Sequence, residues 1–346
     1  MKSPVRYEGA DGIRGLACLI VLIVHASALF FTDTYMPLAG TGKIGVWLFF
    51  VLSAFLLTSK FEQSGFSVFS IGTYAIGRVL RILPLYVLIV YLYYVFGTIG
   101  INTYDNLKDA VFLRQGYAHL WTIPVEFKFY VFLPFIAFVL LKAKQCGGHV
   151  AVLGLSIAMI LLQQWLWPYW NTIENSISTH WYLSSFTVGC YFAVSFEFYR
   201  RCITPALATG VGVVVISLMV LSSPYMRHLI LDMPMDKWLQ NKFVYLSLLW
   251  GIFIVALADG RGQIGVLLRS KVMRKFGAWS FSIYLVHWYF YATFGVAHPN
   301  SFLWMIIGIV CAVAFGALMH YVIEAPIERF RHSLQSKIKL KLAATA

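Results

Sequence analysis

An arginine and a histidine in the first strongly apolar segment have the types and the spacing needed for chemistry on an anionic substrate. Arg14 follows Asp11-Gly12-Ile13, and His25 comes after a nearly unbroken apolar run. In an α-helix, eleven residues make three turns plus about 20°, so both side chains leave the same face, with His25 about 16 Å farther along the axis. In a membrane helix, this stripe indicates a path for an anion toward the middle of the bilayer. The alternative is that Arg14 reaches lipid headgroups and His25 is a packed interior residue.

Other ionisable side chains also fall within apolar segments, where such a group is costly and needs a partner or a function. Glu126 is predicted about 10 Å below the outer surface of a hydrocarbon core about 30 Å thick, at a depth similar to that of His25. These two groups, on different helices, could form an acid–base pair. A Glu126–Lys128 ion pair is disfavoured, because residues i and i+2 do not face each other on a helix. For His287, also near mid-membrane, a structural hydrogen bond is favoured over catalysis.

Two arginines at the cytoplasmic entrance of the third predicted span extend the first pattern. Arg78 and Arg81 have i, i+3 spacing and therefore share a helix face. Together with Arg14 they could hold phosphate groups, because a guanidinium group binds phosphate oxygens in a bidentate manner. The alternative is ordinary anchoring by positive residues at the membrane edge. Glu324, at the cytoplasmic end of the last predicted span, is expected to form a salt bridge with this arginine cluster.

The elements that must position these residues are membrane-spanning helices. The chain has 346 residues, of which 60% are hydrophobic and 12% are charged. An average soluble domain carries about twice that share of charge, so the composition predicts an all-α membrane protein. Ten segments are long enough to span a bilayer, at residues 13–32, 44–60, 79–99, 120–141, 150–167, 180–198, 206–222, 241–258, 276–296 and 302–323.

The distribution of positive charge predicts the orientation of the chain. With the N-terminus inside, 20 of the 27 Lys and Arg residues fall in cytoplasmic segments, six fall outside, and Lys128 lies within a span. This bias predicts that both termini are cytoplasmic, as an even number of spans requires. The net charge of +13 is therefore a topology signal. The basic stretch from Arg329 to Lys341, most of which lies in the predicted basic cytoplasmic tail 332–346, is expected to meet anionic membrane lipids, and nucleic acid is not an expected partner. No Cys/His cluster has the spacing of a zinc site, so no metal is expected.

Six stretches, in order from residue 11 to about residue 331, resemble the integral-membrane acyltransferase 3 family, which includes O-antigen and exopolysaccharide O-acetyltransferases. The matching stretches are the Asp-Gly-x-Arg-Gly opening with Arg14 and His25, the Gly-Val-x-x-Phe-Phe-Val-Leu-Ser stretch ending at Ser53, Arg78-x-x-Arg81 with Pro84, the segment from Trp121 to Tyr130, the segment from Ser280 to His287, and the Glu324-x-Pro326 ending. Two positions depart from the family pattern. Ala54 stands where glycine is common, and Lys128 where glutamine is common.

The resemblance implies a fold of ten helices and transfer of an acyl group, usually acetyl, from cytoplasmic acyl-CoA to a glycan hydroxyl at the extracytoplasmic face. It implies that His25 is the catalytic residue and that Arg14, Arg78 and Arg81 are needed for activity. We expect residues 1–346 to form a single acyltransferase 3 membrane domain, with spans over roughly 11–331, and without the esterase-like domain that some members carry.

The resulting hypothesis is a multi-pass O-acyltransferase of the bacterial inner membrane, with acetyl-CoA as the acyl donor substrate. Its acceptor would be a glycan or lipid-linked glycan. His25 would act as general base, Glu126 would orient and stabilise the imidazolium, and the three arginines would hold the CoA phosphates. A covalent acyl-histidine stays open. The alternative function is a proton-coupled transporter or a lipid-linked glycan flippase without acyl transfer. The acceptor, the exact acyl chain, the oligomeric state and the roles of His287 and Lys128 stay open as well.

Overall fold

The computed structural model describes the backbone of residues 7–344 and the side chains of residues 7–336 and 338. Within residues 7–344 the structure contains fourteen α-helices and no strand, which confirms the all-α prediction. Lys2 and Arg6, which contribute to the predicted cytoplasmic charge, and residues 345–346 of the predicted basic tail lie outside the described residues. The helices are α1 (Ala10–Phe30), α2 (Thr41–Ser64), α3 (Val68–Val95), α4 (Tyr104–Val111), α5 (Thr122–Leu166), α6 (Leu183–Val194), α7 (Phe196–Arg200), α8 (Pro205–Leu221), α9 (Pro224–Leu231), α10 (Phe243–Leu257), α11 (Gly262–Leu268), α12 (Lys271–Ala297), α13 (Phe302–Met319) and α14 (Ala325–Ala344).

Several of these helices are long and apolar enough to cross a membrane. In the described part of the chain, five segments meet both criteria: Ala10–Phe30, Thr41–Ser64, Val68–Val95, Ala118–Leu166 and Phe302–Ser336. The number rises to seven if two bent pairs each count as one span, α8 with α9 at 84° and α10 with α11 at 90°. The described chain is therefore helical, with several segments that could cross a membrane, and the total of ten and the orientation stay predictions.

Two predicted spans fall in one long helix that a glycine pair interrupts. Gly147 (φ −144°) and Gly148 (φ +62°) have non-helical backbone angles within α5. A positive φ is readily available to glycine because it has no Cβ. The break separates the stretches that contain the predicted spans 120–141 and 150–167.

The predicted span 180–198 contains a short helix that is buried inside the protein. α6 has 12 residues, which gives a length of about 18 Å, well short of a hydrocarbon core of about 30 Å. Every residue from Ser184 to Val194 is buried. The helix packs against α2, α5 and α10, so its apolar residues face protein on all sides.

Close backbone contact joins α1 to α12 along their length. A Cβ built on Gly277 would lie 1.8 Å from the carbonyl oxygen of Asp11, and one built on Gly295 would lie 2.6 Å from that of Leu29. Small residues at a helix interface allow such an approach, and it is typical of membrane helices. The two contacts lie at opposite ends of the helix pair, and His25 and His287 meet between them.

Candidate active site

A cavity of about 280 Å³ lies among α1, α2, α3, α5 and α12. Four cationic side chains line it: Arg14 from α1, Lys60 from α2, and Arg78 and Arg81 from α3. The structure therefore brings the three predicted arginines to the lining of one cavity. Lys60 joins them; in the sequence it was counted only among the positive residues of the predicted cytoplasmic segments. Glu126, from α5, lines the same cavity.

The cationic part of the cavity has few protein anions to neutralise it. The Arg14 guanidinium lies 3.0 Å from the carboxylate of Asp11. Within the described residues, Lys60, Arg78 and Arg81 form no ion pair with an N···O distance within 4.0 Å. In the same part of the chain, the buried Nε of Arg78 has no hydrogen-bond acceptor. Because buried donors are normally paired, this N–H can serve an oxygen of a bound anion.

Hydroxyl groups continue the cavity wall beyond the arginines. Tyr130 donates a hydrogen bond to the carboxylate of Glu126, one helical turn earlier on α5, and its oxygen lies 2.9 Å from Oγ of Ser53. The Arg78 guanidinium lies 5.7 Å from the centroid of the Tyr130 ring, within the range of a cation–π contact. Ser53, Tyr130 and Glu126 therefore form a continuous hydrogen-bonded row that lines the cavity.

A second hydroxyl pair connects the cavity to a group of histidines. Thr122 Oγ1 donates to the Tyr284 hydroxyl at 2.9 Å, and both residues line the cavity. Tyr284 in turn donates to the backbone carbonyl of His119. The backbone carbonyl of Tyr284 accepts a hydrogen bond from Nδ1 of His287 at 2.7 Å. Tyr284 therefore connects the cavity to the histidines, because its side chain lines the cavity and its carbonyl oxygen accepts the hydrogen bond from His287.

His25 contacts His287. Nδ1 of His25 and Nε2 of His287 lie 2.9 Å apart, and the two rings are nearly parallel, at 7°. His287 is fully buried, whereas His25 is half-buried. The predicted hydrogen bond of His287 is therefore present, and its partner is the histidine that the sequence identified as the candidate base.

The side of His25 away from His287 faces a glycine. A Cβ built on Gly42 would lie 3.1 Å from Nε2 of His25, so only a residue without a side chain allows α2 to approach this nitrogen so closely. Val46, one helical turn from Gly42 on α2, lines the cavity, and one turn corresponds to about 6 Å along the axis. The glycine beside Nε2 of His25 is therefore one helical turn from a residue of the cavity lining.

His119 completes a cluster that the sequence did not indicate. Its ring centroid lies 4.7 Å from that of His287, and it stacks on Trp288 at 5.4 Å with an interplanar angle of 9°. His119 precedes α5 in a 3-10 turn, Ala118–Trp121, and it is buried. Among the described residues, no group of three His, Cys, Asp or Glu side chains has the arrangement of a metal site. The cluster consists of three imidazoles in ring contact, with one hydrogen bond between His25 and His287.

The structure does not bring Glu126 into hydrogen-bond contact with His25. The hydrogen bond of the Glu126 carboxylate comes from Tyr130, and the partner of His25 is His287. The similar predicted depths of Glu126 and His25 gave no information about the direction in which each helix presents its side chain. Lys128, as expected, does not pair with Glu126, and its Nζ donates to the carbonyl oxygen of Ile177 at 3.3 Å.

The prediction of a salt bridge between Glu324 and the arginine cluster was wrong. The buried Glu324 carboxylate accepts hydrogen bonds from Ser282 and from Nδ1 of His320, the latter at 3.0 Å. Residues His320–Glu324 form a π-helical turn between α13 and α14. Such a turn adds a residue to the helix and changes the direction of the side chains that follow, and here the carboxylate faces α12 instead of the arginines.

Comparisons with known proteins place the chain in a family of enzymes. A family model described as an acyltransferase domain matches residues 7–321. The chain belongs to this acyltransferase 3 family. It is 22% identical over 363 residues to the O-acetyltransferase OatA of Staphylococcus aureus strain NCTC 8325, and equally so to OatA of strain MRSA252.

Each of these alignments covers 95% of this chain and 58% of the relative, so the chain spans somewhat more than half the length of the curated relatives it matches. No solved structure matches the chain significantly. Family membership confirms the resemblance that the six sequence stretches indicated.

Proposed function

We propose that this protein is an O-acetyltransferase of the bacterial inner membrane that transfers an acetyl group from cytoplasmic acetyl-CoA to a hydroxyl of an extracytoplasmic glycan or lipid-linked glycan. One observation carries the proposal: a cavity lined by four cations shares Tyr284 with a hydrogen-bonded histidine pair, since Tyr284 lines the cavity and its carbonyl oxygen accepts a hydrogen bond from His287. Family membership and the O-acetyltransferase relatives support the reaction class. The cavity supports an anionic donor, because four cations and a single carboxylate, that of Glu126, line it.

The donor would bind through its phosphates at Arg14, Lys60, Arg78 and Arg81. Arginine suits this role because its planar fork holds two phosphate oxygens at once. The unpaired Nε of Arg78 supplies a donor for one of them. The acyl-bearing arm would follow the α1 face from Arg14 toward His25, a distance of about 16 Å along the helix axis.

His25 would act as general base in the transfer step. Its free ring nitrogen would take the proton of the acceptor hydroxyl while the hydroxyl oxygen attacks the thioester carbonyl carbon. Collapse of the tetrahedral intermediate breaks the carbon–sulfur bond, and the departing CoA thiolate takes the proton back from the imidazolium. The products are the acetyl ester and free CoA, and the histidine returns to its neutral form.

Glu126 is proposed as a second acid–base group on the cavity side. It lines the same cavity as the arginines and is hydrogen-bonded to Tyr130. This position suits contact with the donor more than contact with the His25 imidazole. The proposed role as the orienting acid of His25 is therefore replaced by a role within the cavity.

The proposal is tested with purified protein in liposomes supplied with [14C]acetyl-CoA, by following acetyl release or transfer. His25→Gln is expected to lower turnover by at least about 100-fold, the usual scale of a general base. His228→Gln, which changes an exposed histidine, is the matched control and should retain turnover. Normal turnover by His25→Gln would overturn the proposal. Solute transport by a protein without acyl turnover would support the transporter instead.

A further inference from the structure

The two hydrogen bonds of His287 determine which of its nitrogens carries the proton. Nδ1 lies 2.7 Å from the carbonyl oxygen of Tyr284, and a carbonyl oxygen only accepts, so Nδ1 must carry a hydrogen. A neutral imidazole has one N–H and one lone pair. In neutral His287 the lone pair is therefore on Nε2.

The same reasoning then applies to His25. Its Nδ1 lies 2.9 Å from Nε2 of His287, and that atom can only accept. Nδ1 of His25 must therefore be the donor, which places the lone pair of neutral His25 on Nε2. This nitrogen borders Gly42, and no hydrogen bond from the described residues occupies it. The basic nitrogen is thus the one that makes no hydrogen bond to the described residues.

We infer that His287 is a positioning residue that fixes the tautomer and the ring orientation of His25, so that Nε2 is available to the acceptor hydroxyl. The inference rests on the proposed function, in which His25 is the base. It assigns to a neutral histidine, anchored on its own helix by Tyr284, the role that a carboxylate has in a Ser-His-Asp triad. Once His25 has taken a proton at Nε2, its Nδ1–H still donates to His287, so the cation forms without rearrangement.

Neighbouring rings hold His287 in the plane that this role requires. Its ring has edge contacts with those of His119 and Tyr291, with centroids 4.7 Å and 5.5 Å away. Trp288 packs edge-on against His25, with centroids 5.0 Å apart. Full burial of His287 excludes water from both of its nitrogens, so no solvent molecule competes for the hydrogen bond to His25.

The test compares two substitutions of His287 in liposomes with [14C]acetyl-CoA. The amide in His287→Gln offers an N–H to the Tyr284 carbonyl and an oxygen to the Nδ1–H of His25, whereas His287→Leu offers neither. We expect His287→Leu to lower kcat by about 100-fold or more with less than about a threefold change in the KM for acetyl-CoA. His287→Gln should recover to within about tenfold of the unmodified protein. Equal losses in both variants, or an unchanged kcat in His287→Leu, would overturn the inference.

A spectroscopic measurement keeps the inference testable if His287→Leu does not fold. In the unmodified protein labelled with [15N]histidine, the signal that disappears in His25→Gln should report a protonated Nδ1 and an unprotonated Nε2. The opposite tautomer would overturn the inference. The two proposals also fail separately. Activity in His25→Gln would contradict the role of His25 as the base. An inactive His25→Gln together with a fully active His287→Leu would contradict only the positioning role of His287.

Discussion

Nδ1 of His25 and Nε2 of His287 lie 2.9 Å apart across a sequence separation of 262 residues. The first helix and the twelfth therefore share one hydrogen-bonded pair, with the cationic cavity lined by residues of both helices. Because His287 is bonded to its own helix through Tyr284, the pair has one defined arrangement of protons when neutral. This arrangement leads to predictions for residues around the histidine pair and in the cavity.

Gly42 should be required for access to Nε2 of His25. In Gly42→Ala the new Cβ would lie 3.1 Å from this nitrogen, in the space that an acceptor hydroxyl needs. We expect kcat to fall by about tenfold or more, since misplacement by about 1 Å at a reacting centre has effects of that order. The measurement is acetyl transfer from [14C]acetyl-CoA, with thermal unfolding as a check on stability.

Gly210→Ala is the matched control for that variant, because a Cβ there would meet nothing within 4 Å. It should leave turnover unchanged and keep or slightly raise the melting temperature. If Gly42→Ala retains full turnover while it folds normally, the space beside Nε2 is not the acceptor path.

Arg78 should contribute to donor affinity through its Nε as well as through its charge. Arg78→Lys keeps the charge but loses the planar fork, so we expect the Kd for CoA, measured by calorimetry, to rise about tenfold, as for loss of one charge-assisted hydrogen bond. Arg274→Ala, which removes an exposed arginine outside the cavity, should leave the Kd unchanged. Equal Kd values for Arg78→Lys and the unmodified protein would show that Nε binds no phosphate oxygen.

Lys60 should contribute to CoA binding through a long-range electrostatic attraction that salt screens. The side chain lines the cavity but is exposed, so salt weakens its attraction for an anion. Lys60→Gln is expected to raise the Kd for CoA by about threefold at low salt and by less at 0.5 M salt. A loss that does not change with salt would indicate a direct, buried contact instead.

Glu126 should affect turnover more than donor affinity. Glu126→Gln can retain a hydrogen bond from Tyr130, so the local structure is preserved while the ionisable group is removed. We expect kcat to fall by about tenfold or more with a small change in the KM for acetyl-CoA. Glu174→Gln, which changes an exposed carboxylate outside the cavity, is the control. An unchanged kcat in Glu126→Gln would remove the acid–base role.

Gly277 should be essential for stability because of its contact with α1. A Cβ at this position would lie 1.8 Å from the carbonyl oxygen of Asp11, and backbone atoms cannot give way as a side chain does. Gly277→Ala is expected to destabilise the protein by about 1–3 kcal/mol or more, as overpacking does, and to lower the melting temperature in detergent. Gly154→Ala, where a Cβ would meet nothing within 4 Å, should not. Equal melting temperatures for the two variants would contradict the close backbone contact.

Helix periodicity was enough to predict that charged residues share a face. Arg78 and Arg81, at i and i+3, do line one cavity, and Arg14 joins them from another helix. The glycine pair in α5 likewise falls between two predicted spans, because glycine at a positive φ ends a helix without steric cost. These features depend on local geometry, which a sequence contains.

Partners across helices could not be predicted in the same way. The depth of Glu126 followed from its distance to the helix end, but the rotation of α5 relative to α1 depends on packing that the sequence does not display. His287 was therefore not recognised as the partner of His25, and Glu324 was paired with the wrong groups because the π-helical turn before α14 was not foreseen. Buried residues such as His119 carry no periodic signal at all.

The backbone contact between α1 and α12 limits how the protein can move. Sliding or rotation of either helix would force a carbonyl oxygen against the Cα atoms of Gly277 or Gly295, so we expect the two helices to move together. The histidine pair lies on these two helices, whereas Lys60 and Glu126 are carried by α2 and α5. Any movement of α2 or α5 against this pair would then change the distances from His25 to Lys60 and Glu126, while the distance between His25 and His287 stays constant.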